Sequence, residues 1–243
     1  ELSPRAGVSV LPDADTTVRA SVGRAFRTPS LLERYQPAIS FGSLEFRSNP
    51  DLDPEHIVSV DAGVERRVTD AVKVHVDGFY NDMKDLIYDR LSGMSVTYMN
   101  TPDAWSGGVE AGGEWRCCPA MELTAACTWQ ASEDESTGQD LPYTPHTTAS
   151  LGVRFEQVVG SWQNEVRVTE LYTGERGYVD FMTDMWRSLD PYFRTDVSVR
   201  ATINNRCWVA AGAQNVLDET YQESSTLSPA PGRLWSIELG TKF

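Results

Sequence analysis

The sequence lacks the features that would place it among helical membrane proteins or nucleic-acid-binding proteins. None of its apolar runs approaches the roughly 18 residues of a membrane-spanning helix, and the mean hydropathy is −0.37. Basic residues are few, since 21 Lys and Arg stand against 35 Asp and Glu and give a formal net charge of −14. A basic patch able to bind phosphate groups is therefore missing, and we expect no nucleic-acid partner.

Cysteine and histidine are also scarce, with four Cys and three His residues. Cys117 and Cys118 are adjacent, which would strain a bridge between them, and Cys207 lies at a turn several predicted strands away. We therefore predict free thiols. The Cys and His spacings do not resemble a metal site, and no Gly-rich phosphate loop follows a strand. No nucleophile can be placed beside a His and a carboxylate. The sequence thus indicates no catalytic residue, no metal site and no cofactor.

What the sequence does contain is alternation, seen most clearly at residues 233–243. Side chains of a strand point to opposite faces in turn. One face of this segment would carry Trp235, Ile237, Leu239, Thr241 and Phe243, and the other Ser236, Glu238, Gly240 and Lys242. A strand of an outer-membrane β-barrel has this pattern, with lipid on one side and water on the other. A soluble β-sandwich, which would bury the apolar face, is the alternative.

The same alternation recurs along the chain and predicts about eleven strands. They are 5–11, 17–26, 57–66, 72–81, 95–116 (irregular near Pro102), 122–130, 149–155, 162–171, 193–202, 207–216 and 233–243. Their connections alternate between tight turns and generally longer loops, as in outer-membrane barrels. Charged residues recur on the polar parity, which suits a water-filled or plugged lumen better than a packed core. The pattern therefore predicts an all-β fold, an antiparallel transmembrane β-barrel of the outer-membrane type.

Several blocks of residues resemble those of TonB-dependent outer-membrane receptors. They are Gly23 to Leu31 with Glu33 and Tyr35; Asn49 to Glu55 with Gly63-Val64-Glu65; Tyr98, Asn100 and Gly108-Val109-Glu110; Leu141-Pro142-Tyr143 with Pro145-His146; and Gln214 to Asp218 with Tyr221, Pro231-Gly232-Arg233 and the terminal Phe243. Their order and spacing carry the resemblance, although Ser48 stands where the family often has Gly.

The resemblance implies a receptor in the outer membrane of a Gram-negative bacterium. Such a receptor binds a scarce nutrient complex, a ferric siderophore, haem or cobalamin, at extracellular loops and imports it with energy from TonB. Residues 1–243 would form one barrel domain, roughly half of a barrel of about 22 strands. Because nothing here resembles the family's plug or TonB box, we expect a fragment. A passive porin-like channel is the alternative, and an outer-membrane enzyme is a third possibility without supporting residues.

The resemblance also implies partners. TonB would bind through an N-terminal region that these residues lack. Outer-membrane lipid and lipopolysaccharide would surround the barrel. The barrel-assembly machinery would read a C-terminal signal formed by Trp235, Ile237, Leu239 and Phe243.

Ligand would meet the protein at the extracellular loops, which we predict at 27–55, 89–100, 132–144, 173–190 and 218–232. The first and fourth concentrate aromatic and Arg side chains that could stack on and neutralise a flat, partly charged complex. The predicted ligand-binding residues are Tyr35, Phe41, Phe46, Arg47, Arg176, Tyr178, Phe181, Trp186 and Arg187. Alternatively, these rings pack the loops against one another. Aromatic residues on the strands are expected instead at the membrane interfaces, namely Tyr80, Trp115, Trp129, Tyr192 and Trp235.

Overall fold

The computed structural model describes residues 2–180, 183, 185–204, 206–223 and 229–242, apart from the side chains of Phe41 and Pro102. Nearly all of it is β-strand. The strands are β1 (Arg5–Asp13), β2 (Thr16–Arg27), β3 (Ile39–Phe41), β4 (Leu44–Arg47), β5 (Glu55–Thr69), β6 (Val72–Ser92), β7 (Ser95–Cys118), β8 (Met121–Asp134), β9 (Thr147–Val159), β10 (Trp162–Thr173), β11 (Arg176–Asp180), β12 (Met185–Leu189), β13 (Tyr192–Ile203), β14 (Cys207–Gln214) and β15 (Leu234–Thr241). One short helix, α1 (Leu31–Tyr35), follows β2. No helix in the described part of the chain is long and apolar enough to cross a membrane.

Eleven strands form the wall of the fold, in the order β1-β2-β5-β6-β7-β8-β9-β10-β13-β14-β15. Each neighbouring pair is antiparallel. The predicted eleven-strand antiparallel wall is confirmed, and β1 and β15 are its two edges. Strand ends differ from the sequence prediction by up to several residues, most of all in β6, which runs on to Ser92.

One face of the wall is apolar and exposed, and we call it the apolar face. Along β5, Val58, Val60, Ala62 and Val64 are exposed while the residues between them are half-buried. The register carries this parity across the sheet, since Val60 lies opposite Val22 on one side and Tyr80 on the other. In the part of the chain that the structure describes, no second sheet covers this face, so the sandwich alternative is wrong. The alternation is that of a wall whose apolar face is suited to lipid.

The opposite, polar face carries ion pairs that run from strand to strand. Arg154 of β9 donates to Glu122 of β8 at 2.9 Å and, within its own strand, to Glu156 at 2.7 Å. Lys73 Nζ lies 2.9 Å from a Glu65 carboxylate oxygen. Because each member of such a pair is compensated by a partner of opposite charge, charged side chains can line this face of the wall.

The connections between wall strands sort by end as predicted, except that β6 and β7 are joined by the two-residue turn Gly93–Met94 at the opposite end. Tight turns follow β1, β5, β7, β9 and β13, and we call this the short-turn end. All four cysteines are free: Cys117 and Cys118 lie at the β7–β8 turn, Cys207 begins β14, and Cys127 lies on the apolar parity of β8. This placement agrees with the sequence prediction.

The other, long-loop end is more ordered than the sequence predicted. Residues 89–100 were expected to be a loop, but β6 and β7 continue as paired strands up to Ser92 and Ser95. The irregularity expected near Pro102 does not interrupt the pairing of β6 with β7. The register is the same on both sides of this proline, at Lys84–Asp103 and Leu86–Thr101, and Asp85 has φ 56°.

True burial is confined mostly to this long-loop end. The buried apolar residues are Leu52, Val96, Ala104, Leu141, Leu189, Ala213 and Tyr221. They lie in the long connections and in the strand segments beside them. The wall therefore has one apolar and one polar face. The buried core lies at the long-loop end, where the loops pack together.

Candidate ligand-binding site

The connection 27–55 begins with a capped helical turn. The Ser30 hydroxyl accepts the backbone N–H of Glu33 at 3.2 Å, and the Glu33 carboxylate accepts the backbone N–H of Ser30. This capping box fixes the start of α1. Arg27 Nη1 also donates to Glu33, at 3.1 Å. The block from Arg27 to Glu33 therefore ties the end of β2 to the helix.

The same arginine closes the connection at its other end. Arg27 Nε and Nη2 each donate to Glu55 at 2.6 Å, and the backbone N–H of Ile87 donates to Glu55 at 2.8 Å. Burial disfavours the charged form of Glu55, but the hydrogen bonds from Arg27 and Ile87 outweigh it, so the pKa of Glu55 is lowered. The pKa of Glu33 is lowered in the same way, against burial, by bonds from Ser30 and Arg27. Both carboxylates are therefore ionised at neutral pH.

A second attachment takes the connection across the wall. Strand β8 ends at Asp134, opposite Ala104, which leaves the outer part of β7 without a neighbour on that side. Strand β4 occupies this edge and pairs in parallel with β7, from Glu45–Ser95 to Arg47–Thr97. The segment 27–55 therefore leaves β2, passes the β6–β7 hairpin and docks on its far side before it returns to β5.

Two asparagines anchor the Asn-Pro block to this hairpin. Asn49 Nδ2 donates to the carbonyl of Tyr98 at 3.0 Å. Asn100 Nδ2 donates to the carbonyls of Asp53 and Asp85 at 3.0 and 2.6 Å, and Asn100 Oδ1 accepts the Asp53 N–H at 2.9 Å. The blocks that carried the resemblance thus hold backbone in place.

The predicted residues of the first loop lie on this docked segment. Tyr35 is 59% exposed, with the Arg34 guanidinium 5.3 Å from its ring centre. Phe46 lies in β4, and Arg47 pairs with Glu45 at 2.6 Å. The backbone of Phe41 ends β3.

The predicted residues of the fourth loop lie on a separate hairpin, β11–β12, in which Tyr178 faces Arg187. The Trp186 indole lies against Gly177 so closely that a Cβ there would overlap the ring. Arg187 Nε is 3.9 Å from an Asp180 carboxylate oxygen. Phe181 lies outside the described residues.

Tyr143 completes an aromatic pair that the sequence did not reveal. Its ring stacks on Tyr178 with centroids 6.0 Å apart and planes at 6°, and its N–H donates to the carbonyl of Gly177 at 2.7 Å. Tyr143 has φ 59° and is 41% exposed. Tyr143 belongs to the Leu-Pro-Tyr block that carried the family resemblance, and this block was the feature of the sequence that could have pointed to it.

Arg176 has a different environment from that expected of a ligand contact. It is buried, it donates to the carbonyl of Gln222, and its guanidinium lies 5.2 Å from the ring centre of Tyr192. Tyr192 in turn stacks on Tyr221 at 4.0 Å. Arg176 therefore joins the fourth and fifth loops. The prediction of Tyr192 at a membrane interface is wrong, because its neighbour Phe193 takes the exposed apolar position.

The structure thus places the predicted ligand-binding residues in two groups. One is held by the β6–β7 hairpin, and the other by contacts with the loops after β8 and β14. Both offer aromatic rings at the long-loop end. Among the described residues, no three or more His, Cys, Asp or Glu side chains are arranged to hold a metal ion. The predicted C-terminal signal residues Trp235, Ile237 and Leu239 lie exposed on edge strand β15, and Phe243 is outside the described residues.

Comparison with known proteins agrees with this architecture. The chain is 25% identical over 229 residues to the vitamin B12 transporter BtuB of Vibrio cholerae, a match that covers 93% of this chain and 34% of that protein. The chain therefore spans about a third of the length of this curated relative. Solved structures that share the fold include two receptors and a copper transporter. The ferric enterobactin receptor PfeA of Pseudomonas aeruginosa superposes with a TM-score of 0.78 at 18% identity, over 99% of this chain and 40% of that one. The copper transporter OprC gives 0.75 at 20% identity, over 98% and 39%. The siderophore receptor PirA of Acinetobacter baumannii gives 0.74 at 18% identity, over 99% and 41%.

The family model described as TonB dependent receptor-like, beta-barrel, matches residues 1–216. This match covers most of the chain, and the single antiparallel wall is the architecture that the description names. The chain belongs to the TonB-dependent receptor family and forms part of its β-barrel.

Proposed function

We propose that the intact protein is an outer-membrane receptor of a Gram-negative bacterium that binds a scarce nutrient complex and imports it with energy from TonB. The ligand is a ferric siderophore, haem or cobalamin. Residues 1–243 act as one barrel domain, with the long-loop end at the cell exterior and the short-turn end in the periplasm. The protein is a transporter and carries out no catalysis.

The observation that best supports this proposal is the construction of the long-loop end. The connection 27–55 is held in a fixed position at this end, because it docks on β7 through β4 and Asn49. Ligand-binding residues are commonly held on loops that a rigid scaffold positions. The exposed ring of Tyr35 and the Tyr143–Tyr178 pair offer flat apolar surfaces for a planar complex.

The relatives support the same class of substrate. Their names specify vitamin B12, ferric enterobactin and copper as transported or bound species. TonB, lipopolysaccharide and the barrel-assembly machinery enter the proposal as partners through the family.

Uptake measurements in cells test the proposal against a passive channel. The full-length gene is deleted from its host, and uptake of labelled cyanocobalamin, haem and ferric siderophores is compared with the parent and with a strain lacking TonB. We expect saturable uptake of one of these at nanomolar concentration that is lost in both mutants. Uptake that rises linearly with concentration and persists without TonB would identify a passive channel instead.

A further inference from the structure

We infer that the long-loop end selects nutrient complexes that are uncharged or cationic and disfavours strongly anionic ones. This inference rests on the proposed receptor function and narrows its substrate class. It follows from where the chain places its charge and from how its cationic side chains are engaged.

The negative charge of the chain is concentrated at the long-loop end. In segments 27–55, 85–103, 133–146, 174–191 and 215–233, the described residues carry eighteen Asp and Glu side chains but only seven Arg and no Lys. Outside these segments, basic and acidic residues are nearly equal in number. Most of the formal net charge of −14 is therefore located at the long-loop end.

The arginines at this end are mostly committed to other groups of the protein. Arg27 binds Glu33 and Glu55, and Arg34 donates to the carbonyl of Pro50. The other committed arginines are Arg47 with Glu45, Arg176 with the carbonyl of Gln222, and Arg187 near Asp180. Three of the predicted ligand-binding residues, Arg47, Arg176 and Arg187, thus have protein partners already. Arg90 and Arg233 are exposed at this end as well, but the carboxylates far outnumber them.

This arrangement has a definite consequence for charged ligands. A surface dominated by one sign of charge raises the local concentration of oppositely charged ligands and lowers that of like-charged ones. At low ionic strength the field extends over about 30 Å at 0.01 M salt, and it shrinks to about 10 Å at 0.1 M. A complex with three negative charges would therefore be repelled before contact, whereas a neutral complex would reach the aromatic faces.

The test uses the purified full-length receptor and three probes of different charge. These are cyanocobalamin and a ferric trihydroxamate, both without net charge, and a ferric tricatecholate with three negative charges. Association rates are measured at about 0.01 and 0.3 M salt. We expect an uncharged probe to bind with little salt dependence, and the tricatecholate to bind more slowly or not at all at low salt.

Charge-neutralising variants identify the responsible side chains. Asp51, Asp89 and Glu135 are exposed at the long-loop end, and the variant D51N/D89N/E135Q should raise the low-salt association rate of the tricatecholate by roughly 3- to 10-fold. The control D15N/D70N removes two exposed carboxylates at the short-turn end and should leave this rate unchanged.

The outcomes separate this inference from the function on which it rests. Tight tricatecholate binding that is no slower at low salt would overturn the charge selection, while the receptor function would stand. Binding of none of the probes, together with no TonB-dependent uptake of any nutrient complex, would overturn both. An uncharged probe that binds while the variant accelerates the tricatecholate would support both.

Discussion

The carboxylate of Asp77 occupies the space that a side chain at Gly63 would fill. Gly63 lies in β5 directly between Arg19 of β2 and Asp77 of β6. Because residue 63 has no side chain, Arg19 reaches across a whole strand and its Nη2 lies 2.6 Å from Asp77 Oδ1. A Cβ at Gly63 would overlap this carboxylate. The Arg19–Asp77 ion pair on the polar face thus depends on the absence of a side chain at residue 63.

Replacing Gly63 with Ala should therefore break the Arg19–Asp77 pair and strain the wall. Overpacking at a tight position costs about 1–3 kcal/mol, and we expect a matching loss in the stability of the full-length barrel to urea. The matched control is Gly78→Ala on the neighbouring strand, where the nearest atoms to a new Cβ are 3.9 and 4.0 Å away. Equal stability of the two variants would contradict the proposed role of Gly63.

Asn100 should hold the connection 27–55 on the β6–β7 hairpin. Asn100→Ala removes three hydrogen bonds to Asp53 and Asp85, and lost bonds of this kind cost about 1–3 kcal/mol where a polar group is left unsatisfied. We expect faster trypsin cleavage after Arg34 or Arg47 in intact cells. The control Asn81→Ala removes a side chain with a 3.1 Å bond to Ser106 on the wall and should not accelerate cleavage there.

The attachment of the same connection should respond to acid. A carboxylate whose pKa is lowered in the folded state stabilises the folded state at pH values above its ordinary pKa. This stabilisation is lost as the pH falls through the lowered pKa. The pKa values of Glu33 and Glu55 are both lowered from 4.5. Hydrogen exchange in residues 27–55, corrected for intrinsic rates, should therefore be constant from pH 7 to about 4.5 and rise below it. Glu55→Gln cannot titrate at this position, so its acid-dependent increase should be smaller. An increase beginning near pH 6 would point to another group.

The aromatic and cationic residues of the two loops should contribute to binding as a set. Replacing Tyr35, Phe46, Arg47 and Trp186 with Ala in the full-length receptor should weaken whole-cell ligand binding by about tenfold or more, since each stacking contact is worth about 0.5–1.5 kcal/mol. Abundance in the outer membrane should not change, because none of the four lies on the apolar face of the wall. Arg67→Ala, at the short-turn end, provides a control with normal binding. Unchanged affinity in the quadruple variant would place the site in parts of the receptor outside this chain.

The two-residue period of the sequence determined the wall. On β5 the alternation of Val58, Val60, Ala62 and Val64 with polar residues was enough to assign the apolar face, because lipid imposes a hydrophobic side chain at every second position. The same constraint fixed the number and order of the wall strands and the sorting of turns by end. It also explains why residues 89–100 were wrongly predicted to be a loop. Strands that continue beyond the membrane need not alternate between apolar and polar residues, so their sequence shows no strand pattern.

The tertiary structure decided which segments pair and pack against one another at the long-loop end. Strand β4 pairs with β7 across about 50 residues of sequence because β8 ends early and leaves backbone groups of β7 available. Arg176 is buried rather than open because Gln222 and Tyr192 come from other segments to meet it. Its local sequence is that of an exposed loop arginine. Contacts of this kind depend on which strand ends where in three dimensions, and periodicity along the chain carries no information about that.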